Sequence, residues 1–174
     1  MDKGLKKEIF EWIKAIAFAF ILALFIRGYV FEPMIVPTGS MIHTIEIDDR
    51  ILVNKFIYRF QEPKLNDIVV FRYPDNPKEI FVKRLIGMGG DTIEIKQGKL
   101  YRNDVLIEEP YLNEKMIGDF GPYSIPEEHY FMMGDNRNNS KDSRFWETRY
   151  VSRENIVGKA VYRIWPIDRI GALE

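Results

Sequence analysis

The sequence contains no cysteine and only two histidines, His43 and His129, among its 174 residues. The absence of cysteine excludes a catalytic thiol, a disulfide and an iron–sulfur cluster from this chain. The two histidines have no cysteines beside them, so the sequence offers no zinc-ligand pattern, and we expect neither a metal nor a cofactor. The formal net charge is −1, which argues against nucleic acid as a partner because proteins that bind it usually carry a strongly basic surface.

After residue 31 the sequence also lacks any long stretch of helical periodicity, any internal repeat and any low-complexity segment. Short apolar runs, such as residues 67–73 and 80–86, alternate instead with residues that favour turns. Turns are predicted at residues 96–98 and 103–104, between short strands. This pattern predicts an all-β domain over residues 32–174.

The long apolar segment of the sequence lies near its N-terminus, where residues 15–26 include no polar side chain. Extended to residues 9–31, it would form a helix of about 34 Å, enough to cross the roughly 30 Å hydrocarbon core of a bilayer. A cleavable signal peptide would need small residues at its cleavage site, and a buried or interfacial helix would need a polar face. Neither feature is present, so the segment is predicted to be a single transmembrane anchor.

Basic residues are distributed unequally around this segment. Three lysines precede it: Lys3, Lys6 and Lys7. No lysine or arginine occurs between Arg27 and Arg50, so the positive-inside rule keeps the N-terminus in the cytoplasm. The prediction is a single-pass protein of the cell membrane, with a cytoplasmic tail (1–8), an anchor (9–31) and a domain on the outer face (32–174); the sequence does not indicate an oligomeric state.

A candidate nucleophile follows the predicted anchor. Ser40 lies between Gly39 and Met41, on a turn that Pro37 sets up. Glycine lets other backbone approach the serine closely, and a serine hydroxyl becomes a nucleophile when a base lies beside it. Most serines next to glycine are ordinary turn residues, so the assignment depends on finding a base.

A lysine in an apolar strand is the candidate base. The alternation of side chains along residues 80–86 places Phe81, Lys83 and Leu85 on one face. Burial between such neighbours disfavours the ammonium form and lowers the pKa of a lysine, and a neutral amine can take a proton from serine. The alternative is a lysine that extends into water from the edge of a strand.

Arg84 points to the opposite face of the same strand. It cannot lose its proton, so it needs a carboxylate partner if that face is buried. The polar loop at residues 134–144 offers Asp135 and Asp142 for this purpose. The alternative is that this loop is an ordinary solvated turn.

Taken together, these segments resemble the bacterial type I signal peptidases, which are membrane-anchored serine proteases with a Ser–Lys dyad. The resemblance covers nearly the whole chain, in order: the anchor, then residues 37–41, 49–55, 67–71, 82–87 and 134–144. The short span between Lys83 and the last segment resembles the compact Gram-positive form. The resemblance implies an all-β fold of coiled antiparallel sheets, of the signal-peptidase and LexA-like type. It also implies two partners: the lipid bilayer, and the signal peptides of secreted pre-proteins, cut after small residues.

The resemblance also implies a role for each matching residue. Ser40 would be the nucleophile and Lys83 the general base. The Thr38 hydroxyl and the Ser40 N–H would form the oxyanion hole, and Ser140 would orient Lys83. Structural support would come from two ion pairs, Asp135 with Arg84 and Asp142 with Arg144. The pocket for the small substrate side chains would be lined by Met34, Val36, Ile45, Phe81 and Val82.

The sequence departs from the family's pattern just after the nucleophile. His43 stands where the family usually has proline, and Ile45 stands where leucine is common. The segment from Ser40 to His43 also breaks the S-x-x-K pattern of penicillin-binding enzymes. His43 is a tolerated loop residue, a change in the approach to the site, or an engineered change.

Three alternatives stay open at this point. A Ser-His-Asp hydrolase would use His43, only three residues from Ser40, or His129, which is better placed in sequence. A LexA-like autoprotease would share the Ser–Lys chemistry, but would carry a DNA-binding helical domain that this sequence does not show. A catalytically inert, membrane-anchored β module would bind extended peptides by strand addition.

Overall fold

The computed structural model of the chain describes residues 3–174, except for the side chains of Lys3 and Lys6. It begins with helix α1, Lys3–Tyr29, and residues 1 and 2 of the predicted tail lie outside the described residues. The part of α1 from Lys7 to Tyr29 is long and apolar enough to cross a membrane. Its apolar side chains, such as Trp12 and Phe18, are exposed, as expected for a helix whose solvent is lipid.

Twelve strands follow within the described residues, in two antiparallel sheets. The large sheet contains β1 (Phe31–Ile35), β2 (Arg50–Asn54), β3 (Ile68–Tyr73), β4 (Asn76–Met88), β9 (His129–Met133), β10 (Val151–Ser152), β11 (Ile156–Trp165) and β12 (Gly171–Ala172). The small sheet contains β5 (Thr92–Lys96), β6 (Lys99–Arg102), β7 (Val105–Leu106) and β8 (Phe120–Ser124). Val30 and Phe31, the last two residues of the predicted anchor, lie in a turn and in β1.

The large sheet has the order β1-β2-β11-β3-β4-β9-β10, with β12 paired to β11. Strand β11 therefore occupies a central position although it comes late in the chain. Its residue Lys159 is opposite Asn54 of β2 on one side and Val69 of β3 on the other. The neighbouring Gly158 lies at a register shift, where a Cβ atom would overlap the carbonyl oxygen of Asn54, so this bulge requires glycine.

Strand β4 runs through the centre of the molecule and contributes to all three apolar clusters of the core. Val82 packs against the first cluster, which contains Val36 and Met41 and lies beside β1 and β2. Leu85 belongs to the second cluster, and Ile86 belongs to the third, which joins the small sheet to the large one. A residue in the middle of this strand is therefore held by close-packed neighbours on both faces.

Candidate active site

Ser40 and Lys83 meet where the loop that follows β1 reaches strand β4. The Nζ atom of Lys83 lies 2.6 Å from the Oγ atom of Ser40, and it also lies 3.0 Å from the carbonyl oxygen of Val82. Both residues are buried, with 7% of Ser40 and 3% of Lys83 exposed. The Lys83 amine thus has two polar contacts and little access to water.

The environment of Lys83 favours the neutral amine. Burial lowers its pKa from 10.5 to about 8, although the negative charges of Asp142 and Asp135 act in the opposite direction. The Nζ atom also lies 5.1 Å from the centre of the Phe81 ring, which limits its hydration. With a pKa near 8, about a tenth of the molecules carry a free amine at pH 7, against about one in 3,000 for an ordinary lysine.

The loop that carries Ser40 is held by the polar loop at residues 134–144. The backbone N–H of Asn136 donates to the Ser40 carbonyl at 3.1 Å, and the Asn136 side chain donates to the Gly39 carbonyl at 2.9 Å. At Gly134 a Cβ atom would overlap the Ser40 carbonyl oxygen and the Ser140 hydroxyl. Glycine is needed there because the two loops approach each other so closely.

Two buried ion pairs flank the dyad. Arg84 donates from Nε and Nη2 to the two carboxylate oxygens of Asp135, at 2.9 and 2.7 Å. Arg144 donates in the same way to Asp142, at 2.8 and 2.9 Å. Asp142 also accepts the N–H of Gly134 at 3.0 Å, so this pair fixes the start of the polar loop. Both arginines are forked donors matched to a carboxylate, the strong geometry for a buried pair.

The next two predicted site residues, Thr38 and Ser140, make no hydrogen bond to Lys83 in the structure. Thr38 lies at the surface of the cleft described below, two residues from Ser40, and the Ser40 N–H has no acceptor within residues 3–174. Ser140 is buried, but its hydroxyl has no hydrogen-bond partner in the described part of the chain. The hydrogen bond expected between Ser140 and Lys83 is therefore not formed in this structure.

A cleft of about 620 Å³ opens onto Ser40 and Lys83. Four of the five residues expected to form the substrate pocket line it: Met34, Val36, Phe81 and Val82. Ile45 does not line it, because its side chain is fully buried in the core beneath the loop. The cleft is also not wholly apolar, since Glu79 and Lys141 contribute to its lining.

The cleft lies between two unpaired strand edges. Strand β1 is the first strand of the large sheet, so only its edge toward β2 is hydrogen-bonded. The middle of β4 is paired to β3, but the pairing of β4 with β9 begins only at Arg84. Residues 79–83 thus keep one free edge. Two free edges facing one cleft can bind an extended peptide as an added strand.

Neither histidine takes part in this arrangement. The His129 ring lies 2.8 Å from the carbonyl oxygen of Glu127, through Nδ1, and no hydrogen bond joins either imidazole to Ser40 among the described residues. His43 is exposed and has a φ of 78°. Proline is fixed near −65°, so this backbone excludes the proline that the resemblance implies at position 43.

Comparison with known proteins places the chain in a family. Residues 9–165 match the family described as signal peptidase, peptidase S26. The chain belongs to this family. Membership makes the chain a peptidase, and it is evidence against the inert peptide-binding module and the LexA-like autoprotease.

Related signal peptidases are similar over most of their length. Signal peptidase I of Leptolyngbya laminosa is 41% identical over 172 residues, which cover 95% of this chain and 84% of the relative. Signal peptidase I P of Bacillus subtilis subsp. natto is 41% identical over 179 residues, covering 97% and 96%. The crystal structure of a signal peptidase I from Enterococcus faecalis V583 is 33% identical, with a TM-score of 0.51, and covers 57% of this chain and 97% of that one. These matches confirm the predicted family and the predicted antiparallel β fold.

In this member of the signal peptidase family, the structure also shows contacts near the site that the sequence did not predict. Arg137 is buried and donates to both carboxylate oxygens of Glu109, at 2.8 and 2.6 Å, and its Nε donates to the Gly134 carbonyl. The ring of Tyr111 lies 4.0 Å from the guanidinium carbon of Arg84. The segment that contains Glu109 and Tyr111 therefore covers Arg137 and Arg84, close to Ser40 and Lys83. A buried arginine at position 137 of the polar loop needs an anionic partner, but the sequence of this loop alone does not predict that Glu109 supplies it.

Proposed function

We propose that this chain removes signal peptides from exported pre-proteins, with Ser40 as the nucleophile and Lys83 as the general base. One observation carries the proposal: a buried amine with a pKa lowered to about 8 lies 2.6 Å from a serine hydroxyl. General-base catalysis requires both this distance and a free lone pair near the working pH.

The reaction begins when the Ser40 oxygen attacks the carbonyl carbon of the residue before the cut. The neutral Lys83 amine takes the serine proton as the new C–O bond forms, and the carbonyl electrons move onto its oxygen. The Ser40 N–H and the Thr38 hydroxyl would donate to that oxyanion. The Lys83 ammonium then gives its proton to the departing amine, which leaves an ester on Ser40.

Water completes the cycle. With the amine gone, Lys83 is neutral again and can take a proton from a water molecule that attacks the ester. The C–O bond to Ser40 breaks, and the serine oxygen recovers the proton from Lys83. One base thus serves both halves of the reaction, as in other hydrolases that form an acyl intermediate.

The cleft gives a physical reason for a preference for small residues near the cut. An extended substrate would add a strand between β1 and residues 79–83, with main-chain hydrogen bonds supplying much of its affinity. Its side chains would then alternate toward walls that already contain Met34, Val36, Phe81 and Val82. Bulky apolar walls leave room for a methyl group and exclude larger side chains, whereas Glu79 and Lys141 supply charge elsewhere in the lining.

The membrane would hold this site at the surface where signal peptides emerge. We place Lys7–Tyr29 across the bilayer, with the N-terminus in the cytoplasm and residues 32–174 on the outer face. The support is the length and composition of the helix and the lysines that precede it, by the positive-inside rule. Val30 and Phe31 would then lie at the interface, where the chain turns into β1.

Cleavage of a pre-protein with alanine at the first and third positions before the cut tests the proposal. Ser40→Ala and Lys83→Met should each abolish cleavage by the full chain in detergent micelles. Two matched variants in the small sheet, Ser124→Ala and Lys96→Met, should retain it. A fully active Lys83→Met enzyme, or loss of all activity in His129→Ala, would transfer the role of base to another residue.

A further inference from the structure

The loop that follows Ser40 is tied to a distant part of the chain through Asp49. This carboxylate is fully buried. Its Oδ1 atom accepts Nη2 of Arg169 at 2.5 Å, and its Oδ2 atom accepts the N–H of Glu46 at 2.9 Å and lies 3.6 Å from Nη1 of Arg163. Asp49 therefore joins the end of the nucleophile loop to two arginines more than a hundred residues away.

Thr44 is the second point of attachment in the same loop. Its carbonyl oxygen accepts Nη1 of Arg163 at 3.0 Å, and its hydroxyl donates to Asp135 at 2.6 Å. Since Asp135 is bound by Arg84, Thr44 is held between β11, which carries Arg163, and β4, which carries the base. The same Arg163 thus contacts both attachment points of the loop.

The contacts at Thr44 and Asp49 can reach Ser40 because the intervening chain consists of two consecutive tight turns, residues 41–45 and 46–49. The N–H groups of Thr44 and Ile45 both bond to the Met41 carbonyl, at 3.0 and 2.7 Å. The Met41 and Ile45 side chains are fully buried in the first apolar cluster. A hydrogen-bonded turn packed in a core moves as a unit, so displacement of Thr44 carries Met41 and the adjoining Ser40 with it.

We propose that Arg163 and Arg169 are positioning residues for the nucleophile: through Asp49 and Thr44 they hold the turn that sets Ser40 against Lys83. The inference rests on the proposed role of Ser40 and Lys83. Neither arginine lines the substrate cleft, so both act through the loop. A misplacement of about 1 Å in a reacting group can cost about 100-fold in rate, which is why such remote contacts matter.

The test compares Arg169→Met, which removes the charge but keeps an unbranched apolar chain, with Arg169→Lys, which restores a donor. Arg153→Met is the matched control, because Arg153 also pairs with a carboxylate, that of Glu62, but lies outside this network. All variants are full chains in detergent micelles, assayed for kcat, KM, the pH dependence of kcat and the thermal midpoint.

The expected result is that Arg169→Met lowers kcat by about tenfold or more, with KM and the apparent pKa near 8 unchanged. Arg169→Lys should recover most of the loss, and Arg153→Met should keep kcat within about twofold of the original. An Arg169→Met enzyme with full kcat and only a lower thermal midpoint would overturn the proposal, since a purely stabilising role predicts that pattern.

A double-mutant cycle with Asp49→Asn tests whether the arginine acts through that carboxylate. If it does, adding Arg169→Met to Asp49→Asn should lower kcat little further. If the two substitutions instead lower kcat by independent factors that multiply, Arg169 does not act through Asp49. If Arg169→Met does not fold, Arg163→Met and Arg169→Gln carry the comparison, and unchanged kcat in both would likewise overturn the proposal. Ser40→Ala is run alongside: cleavage by the original chain and none by Ser40→Ala upholds the proposed function, whatever the arginine variants do.

Discussion

Replacing Lys83 with methionine should stabilise the protein at neutral pH far more than at alkaline pH. Methionine fills a similar volume without a charge. In the native state the pKa of Lys83 is about 8, and its ordinary value is 10.5, so between these values the unfolded chain binds more protons than the native one. The free energy of unfolding of the original chain therefore increases as the pH rises through this window. The full cost of burying the charged Lys83 ammonium is present below pH 8.

The size of the effect follows from the shift of about 2.5 units. One unit corresponds to about 1.4 kcal/mol, so burial of the ammonium costs about 3 kcal/mol at pH 7 and less than about 1 kcal/mol at pH 10. Loss of the contacts with Ser40 and with the Val82 carbonyl affects Lys83→Met at both pH values and cancels in the comparison. The stability difference between Lys83→Met and the original chain should thus shift by about 2–3 kcal/mol in favour of the variant at pH 7.

Urea unfolding of the full chain in detergent micelles, followed by tryptophan fluorescence to which the buried Trp146 contributes, measures this shift. Lys78→Met removes an exposed lysine from the same strand and controls for the loss of positive charge as such. A difference between Lys83→Met and the original chain that is the same at pH 7 and pH 10 would show that Lys83 is not desolvated. It would then also remove the physical basis for its role as a base.

Three further predictions concern rate and stability. The value of kcat/KM should rise with pH along one limb with an apparent pKa near 8, because only neutral Lys83 accepts a proton; a limb that vanishes in His129→Ala would contradict this. His43→Pro should cost about 1–3 kcal/mol in urea unfolding, because φ at this position is positive, whereas His43→Gly should be tolerated. Glu109→Gln should cost about 3–5 kcal/mol by leaving Arg137 buried without an anion, while the exposed Glu127→Gln should leave the unfolding midpoint unchanged.

The sequence was informative wherever the determining contacts are local. The turns at Gln97 and Gly98 and at Asn103 and Asp104 have positive φ at both residues, which glycine, asparagine and aspartate tolerate at little cost. The alternation around Lys83 likewise predicted that the lysine shares a face with Phe81, because side chains two apart in a strand share a face, but it left open whether the amine is buried. The all-β class followed from many such local patterns.

The sequence was uninformative where distant segments decide the outcome. Ile45 was expected in the substrate pocket, but the turn of which it is part directs its side chain into the core. Glu109 lies 28 positions from Arg137, and no local pattern joins them. Ser140 was assigned a contact with Lys83 by resemblance, and its hydroxyl has no partner in the part of the chain described. Each case depends on tertiary packing that spacing does not encode.

The central position of β11 has a consequence for the time at which the enzyme becomes active. Ser40 follows β1, on one side of β11 in the sheet, and Lys83 lies in β4, on the other side. Among residues 3–174, the strands of the two halves are joined into one sheet only through β11, which begins at Ile156. At about 5–20 residues per second, a ribosome reaches that strand roughly 6–23 s after it has added Ser40. During that interval the nascent chain contains both side chains of the proposed dyad without the strand that joins their halves of the sheet, so we expect a newly made molecule to be inactive until synthesis has passed β11.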